Sequence, residues 1–186
     1  MTVQEIHALL QQQFGEQVIT GLNTTAKDPW IEVAPAAIAQ VAQFLKADER
    51  LRFDYLTDLS GVDFHEPDAK LAAKFPYDSC VAVVYHLFSL SLRHRLTVKV
   101  KLPRWKNDTP GELPEVPTVS HVWGIADWHE REAYDLMGIR FDGHPDLRRI
   151  LLPADWVGYP LRKDYQAQER YHGVPVAYGD RDNPTP

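Results

Sequence analysis

After Gly138 the chain loses the means to form regular structure yet stays apolar. Prolines stand at 145, 153, 160, 175, 184 and 186, with no sustained hydrophobic period between them. Proline fixes φ and removes a backbone donor, so this spacing breaks helices and central strands. The same stretch holds Ile139, Phe141, Leu147, Ile150, Leu151, Leu152, Trp156, Val157, Tyr159, Leu161 and Tyr165, too much apolar surface for free coil. A segment of this length without an element of its own is unusual inside a compact domain. Its side chains need a surface and its backbone groups need partners. The expectation is that another protein supplies both.

The preceding residues are periodic. Thr2 and Glu5 have capping-box spacing, and Val3, Ile6, Leu10 and Phe14 recur at helical intervals up to Gly15. Residues 18–20 and 30–33 are short strand candidates. Pro35 suits the first turn of a helix whose apolar face is Ile38, Val41, Ala42 and Leu45. Residues 53–62 alternate as a strand. Residues 80–92 are apolar on both faces, which suits a central strand covered on both sides. Residues 95–102 alternate cleanly, with Arg95, Thr97, Lys99 and Lys101 outward as a solvated face or guarded edge. Only a short polar link, Arg93-His94, joins these two runs, so they read as an antiparallel hairpin. Pro103, Pro110, Pro114 and Pro117 mark a long loop, 118–122 one more strand, and 123–137 a helix stopped by Gly138. The fold class is α+β: a small mixed or antiparallel sheet with helices packed on it, then a helix and a long extended C-terminal tail. The divisions are a body over 1–122, a helix over 123–138 and a tail over 139–186.

Composition narrows the function. The 186 residues carry a formal net charge of −6, which argues against nucleic acid or an anionic membrane surface as the main partner. Residues 1–138 hold the acidic excess, 19 acidic against 13 basic, while the tail has seven of each. No apolar run approaches the roughly 20 residues that span a bilayer, and no signal peptide is visible at the start. The lone Cys80 excludes intrachain disulfides, a cysteine-ligated zinc and a cluster held by this chain alone, and it falls inside a predicted core strand. The eight histidines are scattered, with no ligand-spaced pair. No Gly-x-Ser-x-Gly elbow and no glycine-rich phosphate loop occurs. Enzymatic nucleophiles, nucleotide cradles and a metal site are therefore unsupported.

The helix over 123–137 holds the densest cluster of charge. Asp127, Arg131 and Asp135 are spaced for a ladder of ion pairs on one exposed stripe. Glu130 falls within an apolar stripe of Trp123, Ala126, Ala133, Tyr134 and Met137, and Glu132 lies near Trp128 and Leu136. A carboxylate among apolar neighbours needs a partner or a raised pKa. The expected partner of each is an arginine of the tail or of a neighbouring chain. The tail's own cations, Arg140, Arg148, Arg149, Arg162 and Lys163, are too few and too mixed with acid for a nucleic-acid surface. They suit an interface in which arginines pair with carboxylates.

Three blocks carry a resemblance. They are Trp128 to Phe141, with Glu130-Arg131-Glu132, Asp135 and Gly138; Gly143 to Leu151, with His144-Pro145-Asp146-Leu147-Arg148-Arg149; and Gly158 to Tyr165, with Pro160-Leu161-Arg162-Lys163-Asp164. In this order and spacing they resemble the 30 kDa subunit family of the proton-pumping NADH–quinone oxidoreductase, respiratory complex I. The resemblance implies a structural and assembly subunit of the peripheral arm, on the cytoplasmic face of the bacterial inner membrane. Membrane association would come only through the complex, and no nucleic acid would be bound. This chain would hold no cofactor; FMN, iron–sulfur clusters and quinone would sit in partner subunits. Its partners would be the quinone-site large subunit and neighbouring iron–sulfur subunits. Glu130, Arg131, Glu132 and Asp135 would hold the helix to the tail, the body or the large subunit, and Arg148, Arg149, Arg162 and Lys163 would anchor the tail. Related subunits serve ferredoxin- or F420-fed quinone reductases and membrane-bound hydrogenases. The rivals outside this class are a stand-alone anion-binding domain using the tail arginines and a hydrolase using Glu130 and Glu132.

Overall fold

The computed structural model describes residues 1–74 and 78–176. Pro76 and the last part of the expected tail, including Pro184 and Pro186, lie outside the described residues. The chain opens with α1 (Val3–Phe14). Its capping box is formed: Glu5 N–H donates to Thr2 Oγ1 at 3.3 Å and Thr2 N–H donates to the Glu5 carboxylate at 2.8 Å. β1 (Ile19–Asn23) and β2 (Trp30–Val33) pair antiparallel. A single 3₁₀ turn at Pro35–Ala37 leads into α2 (Ile38–Ala47). Next come β3 (Tyr55–Phe64), the short α3 (Ala69–Ala72), β4 (Cys80–Phe88) and β5 (Arg95–Leu102).

The main sheet has the order β1-β2-β5-β4-β3. β2 runs parallel to β5 and every other pair in it is antiparallel, so the sheet is mixed. Register aligns Leu59, Tyr85 and Val98 across three strands, and Ile31 lies beside Val98. These four side chains are buried in one core with Ile6 and Leu10 of α1 and Val41 and Leu45 of α2. β4 lies between β5 and β3, and Val81 through Tyr85 are buried without a break. Cys80 differs from its expected place: it is the first residue of β4, opposite Phe64, and is half-buried. The outward row of β5 is partly covered. Lys99 lies 4.4 Å from the Trp30 ring centre, and Lys101 pairs with Glu32 at 2.8 Å.

The second half of the chain departs from the periodic reading. The expected strand over 118–122 is a turn; the strand is β6 (Glu115–Pro117), three residues earlier. Thr118 and Val119 turn away because their hydroxyl and N–H serve Glu130 instead of a ladder. α4 (Ala126–Met137) begins three residues after Trp123, whose indole N–H donates to Phe53 O at 2.9 Å. Regular structure does not end at Gly138. β7 (Arg140–Asp142) pairs parallel with β6, and β8 (Arg170–Tyr171) forms a small hairpin with β9 (Val174–Pro175). Strands of two or three residues are too short to show a period. Ile139 and Phe141, expected to need another protein, are buried in this chain's own core, while Leu151, Val157 and Leu161 remain exposed.

α4 lies against β3, and Gly61 permits the approach. A Cβ there would stand 2.8 Å from Met137 Cγ and 3.2 Å from its Cβ. Gly61→Val forces α4 off the sheet. Overpacking of this kind costs about 1–3 kcal/mol, so a urea or thermal melt shows a lowered midpoint, whereas Gly124→Ala, facing open space, leaves it in place.

Candidate functional site

α4 and the segment that follows it form one junction built on three buried ionisable groups. The first is Asp135, fully buried on the last turns of α4. Its Oδ2 accepts three successive backbone N–H groups, from Ile150, Leu151 and Leu152, at 3.0, 2.7 and 2.9 Å. Arg149 Nη1 donates to Oδ1 at 2.9 Å and reaches the Asp135 carbonyl at 3.2 Å, and its other amino group reaches Gly158 O. Burial is the largest influence on this carboxyl and pushes its pKa up. The three N–H donors and Arg149 together outweigh it and hold the group below its usual range.

The second is Arg162, 5% exposed. Its guanidinium donates to three carbonyls: Met137 and Gly138 at the end of α4, at 2.8 and 3.3 Å, and Arg104 at 2.7 Å. It lies 3.8 Å from the Trp105 ring centre. Beside it Arg104 forms two-pronged pairs with Asp63 and with Asp164. Lys163 contributes its backbone N–H, which donates to Asp63 at 2.9 Å. Gly138 ends the helix in the left-handed region, φ 63°, and a Cβ there would stand 2.7 Å from the Tyr159 ring.

The third is Glu130, also fully buried. It takes no arginine, contrary to expectation. Thr118 Oγ1 donates to its Oε2 in a short hydrogen bond, and Val119 N–H donates to Oε1 at 2.7 Å. His144 Nε2 stands 3.9 Å from Oε2. That imidazole accepts Asp146 N–H at Nδ1, so its proton is on Nε2, which faces the Asp127 carbonyl at 3.1 Å. Burial is the dominant influence on Glu130 and pushes its carboxyl up to about 7, against the two donors, with the Asp127 charge adding to the rise.

The remaining residues selected from the sequence are distributed around this junction. Arg131 is buried, not on an exposed stripe: it pairs with Asp127 at 3.0 Å and Asp146 at 3.6 Å and stacks on Trp128. The ladder stops there, because Asp135 serves Arg149 instead. Glu132 is exposed, not set in an apolar face. Leu147 packs against the core, Pro145 is exposed and Pro160 half-buried. Arg148 is exposed and, among the described residues, pairs only with Asp146, two positions before it. Sequence reasoning missed Asp63, Arg104, Trp105 and Thr118. The one signal for them is a tryptophan beside an arginine inside a proline-rich loop, where neither has local work.

Glu130 and Asp135 give stability opposite responses to pH. In the folded chain Glu130 keeps its proton up to about pH 7, whereas the unfolded chain releases it at an ordinary carboxylate value. The folded state binds more protons between those limits, so stability falls as pH rises through that window and levels off above it. Between about pH 5 and pH 8 the loss is roughly 3 kcal/mol, read by urea melts, and Glu130→Gln flattens the slope. Asp135 works in the opposite sense: its stabilisation is present at neutral pH and is lost only below the usual carboxylate range. Asp135→Asn breaks a buried ion pair, at a cost of roughly 3 kcal/mol, and exposes the 147–165 segment to limited proteolysis.

Known proteins resemble this chain over most of its length. Residues 31–171 match the family described as respiratory-chain NADH dehydrogenase, 30 Kd subunit. An NADH-quinone oxidoreductase subunit of Chloroherpeton thalassium is 44% identical over 92% of this chain and 64% of its own length. The corresponding NADH-quinone oxidoreductase subunit of Chlorobium phaeobacteroides is 40% identical over 91% of this chain and 92% of its own length. The chain thus spans a little under two thirds of the first relative and nearly all of the second. A chain of the archaeal membrane-bound sulfane sulfur reductase, a respiratory membrane complex, shares the fold with TM-score 0.66 at 20% identity, covering 98% of both chains. The matched span contains all three buried groups and the segment they hold, and the chain belongs to the family of the 30 kDa subunit of respiratory-chain NADH dehydrogenase, the NADH-quinone oxidoreductase.

Proposed function

We propose that this chain is a structural and assembly subunit of the peripheral arm of a proton-translocating NADH–quinone oxidoreductase. It carries no catalytic residue and no cofactor. It docks on the quinone-site large subunit and touches neighbouring iron–sulfur subunits, on the cytoplasmic face of the membrane. Electrons pass from NADH through FMN and iron–sulfur clusters to quinone in those partners, and this chain supports the path by holding them in place. The observation that carries this reading is the docked segment itself. Its backbone is locked by buried ions, while Leu151, Val157, Leu161 and Arg148 are left exposed. A rigid segment that turns apolar side chains and an arginine outward has the composition of an interface core. Among the described residues no group of three His, Cys, Asp or Glu side chains converges as metal ligands, and no helix is long and apolar enough to cross a membrane.

A second reading places the chain in a related machine fed by ferredoxin or F420. What prompts it is that the same fold occurs in a chain of a different respiratory membrane complex, the archaeal sulfane sulfur reductase. The relatives at 36–44% identity, named for NADH and quinone, favour the first. A flavin-bearing NADH-binding subunit co-purifying with the chain decides between them.

Arg148 separates docking from folding. Its side chain is 69% exposed and, among the described residues, pairs only with Asp146, so Arg148→Ala changes stability by less than about 0.5 kcal/mol. The expected outcome is less assembled complex in membranes, with unchanged quinone reduction per assembled complex. Arg148→Ala together with Arg149→Ala lowers assembly further, because Arg149 also holds Asp135. Normal assembly with slowed quinone reduction overturns the assembly role.

A further inference from the structure

β3 is an edge strand of ten residues, hydrogen-bonded to β4 on one side only. Long edge strands are ordinarily guarded by lysine, proline, a bulge or a cover, because their free N–H and C=O groups recruit other strands. The opposite edge obeys this: β1 has five residues and a break in register between Ile19 and Gly21. β3 is twice as long and has neither lysine nor proline; like β1 it has one break in register, at Thr57, and α4 lies against it at Gly61. Among the described residues no backbone bond reaches Tyr55 to Ser60 from the side away from β4. The strand is also not hidden: Tyr55 is 49% exposed and Thr57 is exposed.

Beside this edge runs a groove of about 240 Å³ between β3 and α4. It is lined by Asp58, Ser60 and Gly61 of β3, by His129 and Glu132 of α4, and by Leu161 of the docked segment. Its acidic groups come from both elements. The Asp58 side chain is 43% exposed, with the His129 Nδ1 at 3.8 Å. Glu132 is exposed and has no ion pair among the described residues. The groove therefore pairs unfilled backbone groups with two carboxylates, one from each element.

We infer that the free edge of β3, with the groove between Asp58 and Glu132, is a strand-addition site for an extended lysine- or arginine-bearing segment of another subunit of the complex. Main-chain bonds to β3 supply the affinity, and alternate side chains supply the selection. Cationic side chains meet Asp58 and Glu132, and an apolar one between them covers the exposed Leu161. Leu161 is common to this groove and to the outward face of the docked segment, whereas Asp58, Glu132 and the β3 edge are not, and the inference rests on the proposed place of the chain in a multi-subunit assembly.

The test places a photo-crosslinking benzoylphenylalanine at Ser60 of the chain in its host, with a second at Leu151 as the control. The complex is irradiated in membranes, and the adducts are sequenced. The expected adduct from Ser60 joins a lysine- or arginine-bearing stretch of one other subunit. Asp58→Lys with Glu132→Lys abolishes that adduct while the one from Leu151 persists. An adduct to a second copy of this chain, an adduct to a stretch without basic residues, or no adduct from Ser60 while Leu151 still crosslinks overturns the inference. Loss of adducts from both positions, with the chain absent from purified complex, overturns the proposed function as well. Asp58 gives up a hydrogen bond from Ser60 and its place beside His129, so the midpoint is measured for each variant, and a chain that still melts cooperatively close to the parent temperature separates lost docking from lost folding.

Discussion

The Asp135 carboxylate is the contact on which the second half of the molecule depends. An irregular segment has no ladder to satisfy its backbone, so each buried N–H and C=O needs a side chain or solvent. Asp135 meets this for the donors of 150–152, and Arg162 meets it for the acceptors at the end of α4 and at Arg104. The two are complementary: an anion collects amides and a cation collects carbonyls. Each is buried, and each is offset by several hydrogen bonds, the condition under which a buried charge is tolerated. Deleting either leaves a buried partner set without its centre.

α4 organises the rest by carrying these groups on different sides. Glu130 faces the 118–119 turn, Arg131 faces Asp146, and Asp135 faces 149–152. Gly138 then reverses the chain in the left-handed conformation, and the Tyr159 ring occupies the space that a Cβ would need. Gly61 does the corresponding service on the sheet side, where Met137 rests on bare backbone. The helix is clamped between sheet and segment, and the segment's outward side chains are held in fixed positions. Pre-organised surfaces of this kind lose little conformational freedom on docking.

The body was legible because its elements are long enough to show a period. The capping box at Thr2, the Trp30–Val33 strand and the alternation of β5 stand at the expected residues; the two-sided run of β4 starts where expected but ends at Phe88 rather than at 92, with Leu90 and Leu92 exposed in the turn. Their partners in the sheet were legible only for the β4–β5 hairpin, where the connection is short. The parallel pairing of β2 with β5 was not, since nothing local encodes a contact between strands so far apart in the chain. The junction was half legible. Glu130, Arg131, Asp135, Arg149 and Arg162 stand out as charges among apolar neighbours, but their partners did not follow. The arginine expected for Glu130 proved to be a threonine hydroxyl and a backbone N–H, and the ladder expected along α4 gave way to Arg149.

By itself the sequence determined the α+β class, the helices and central strands, and three motif blocks specific enough to name a family. Those follow from local periodicity and residue identity, which a linear chain displays directly. Only the tertiary structure decided how the apolar, proline-broken segment is ordered. It lies on its own body, through ion pairs and charge-assisted hydrogen bonds between residues up to a hundred positions apart, rather than awaiting a partner for every contact. It also decided which side chains remain outward and that β3 keeps an open edge. Burial and pairing of a charge depend on what folds against it, and no residue carries that information alone.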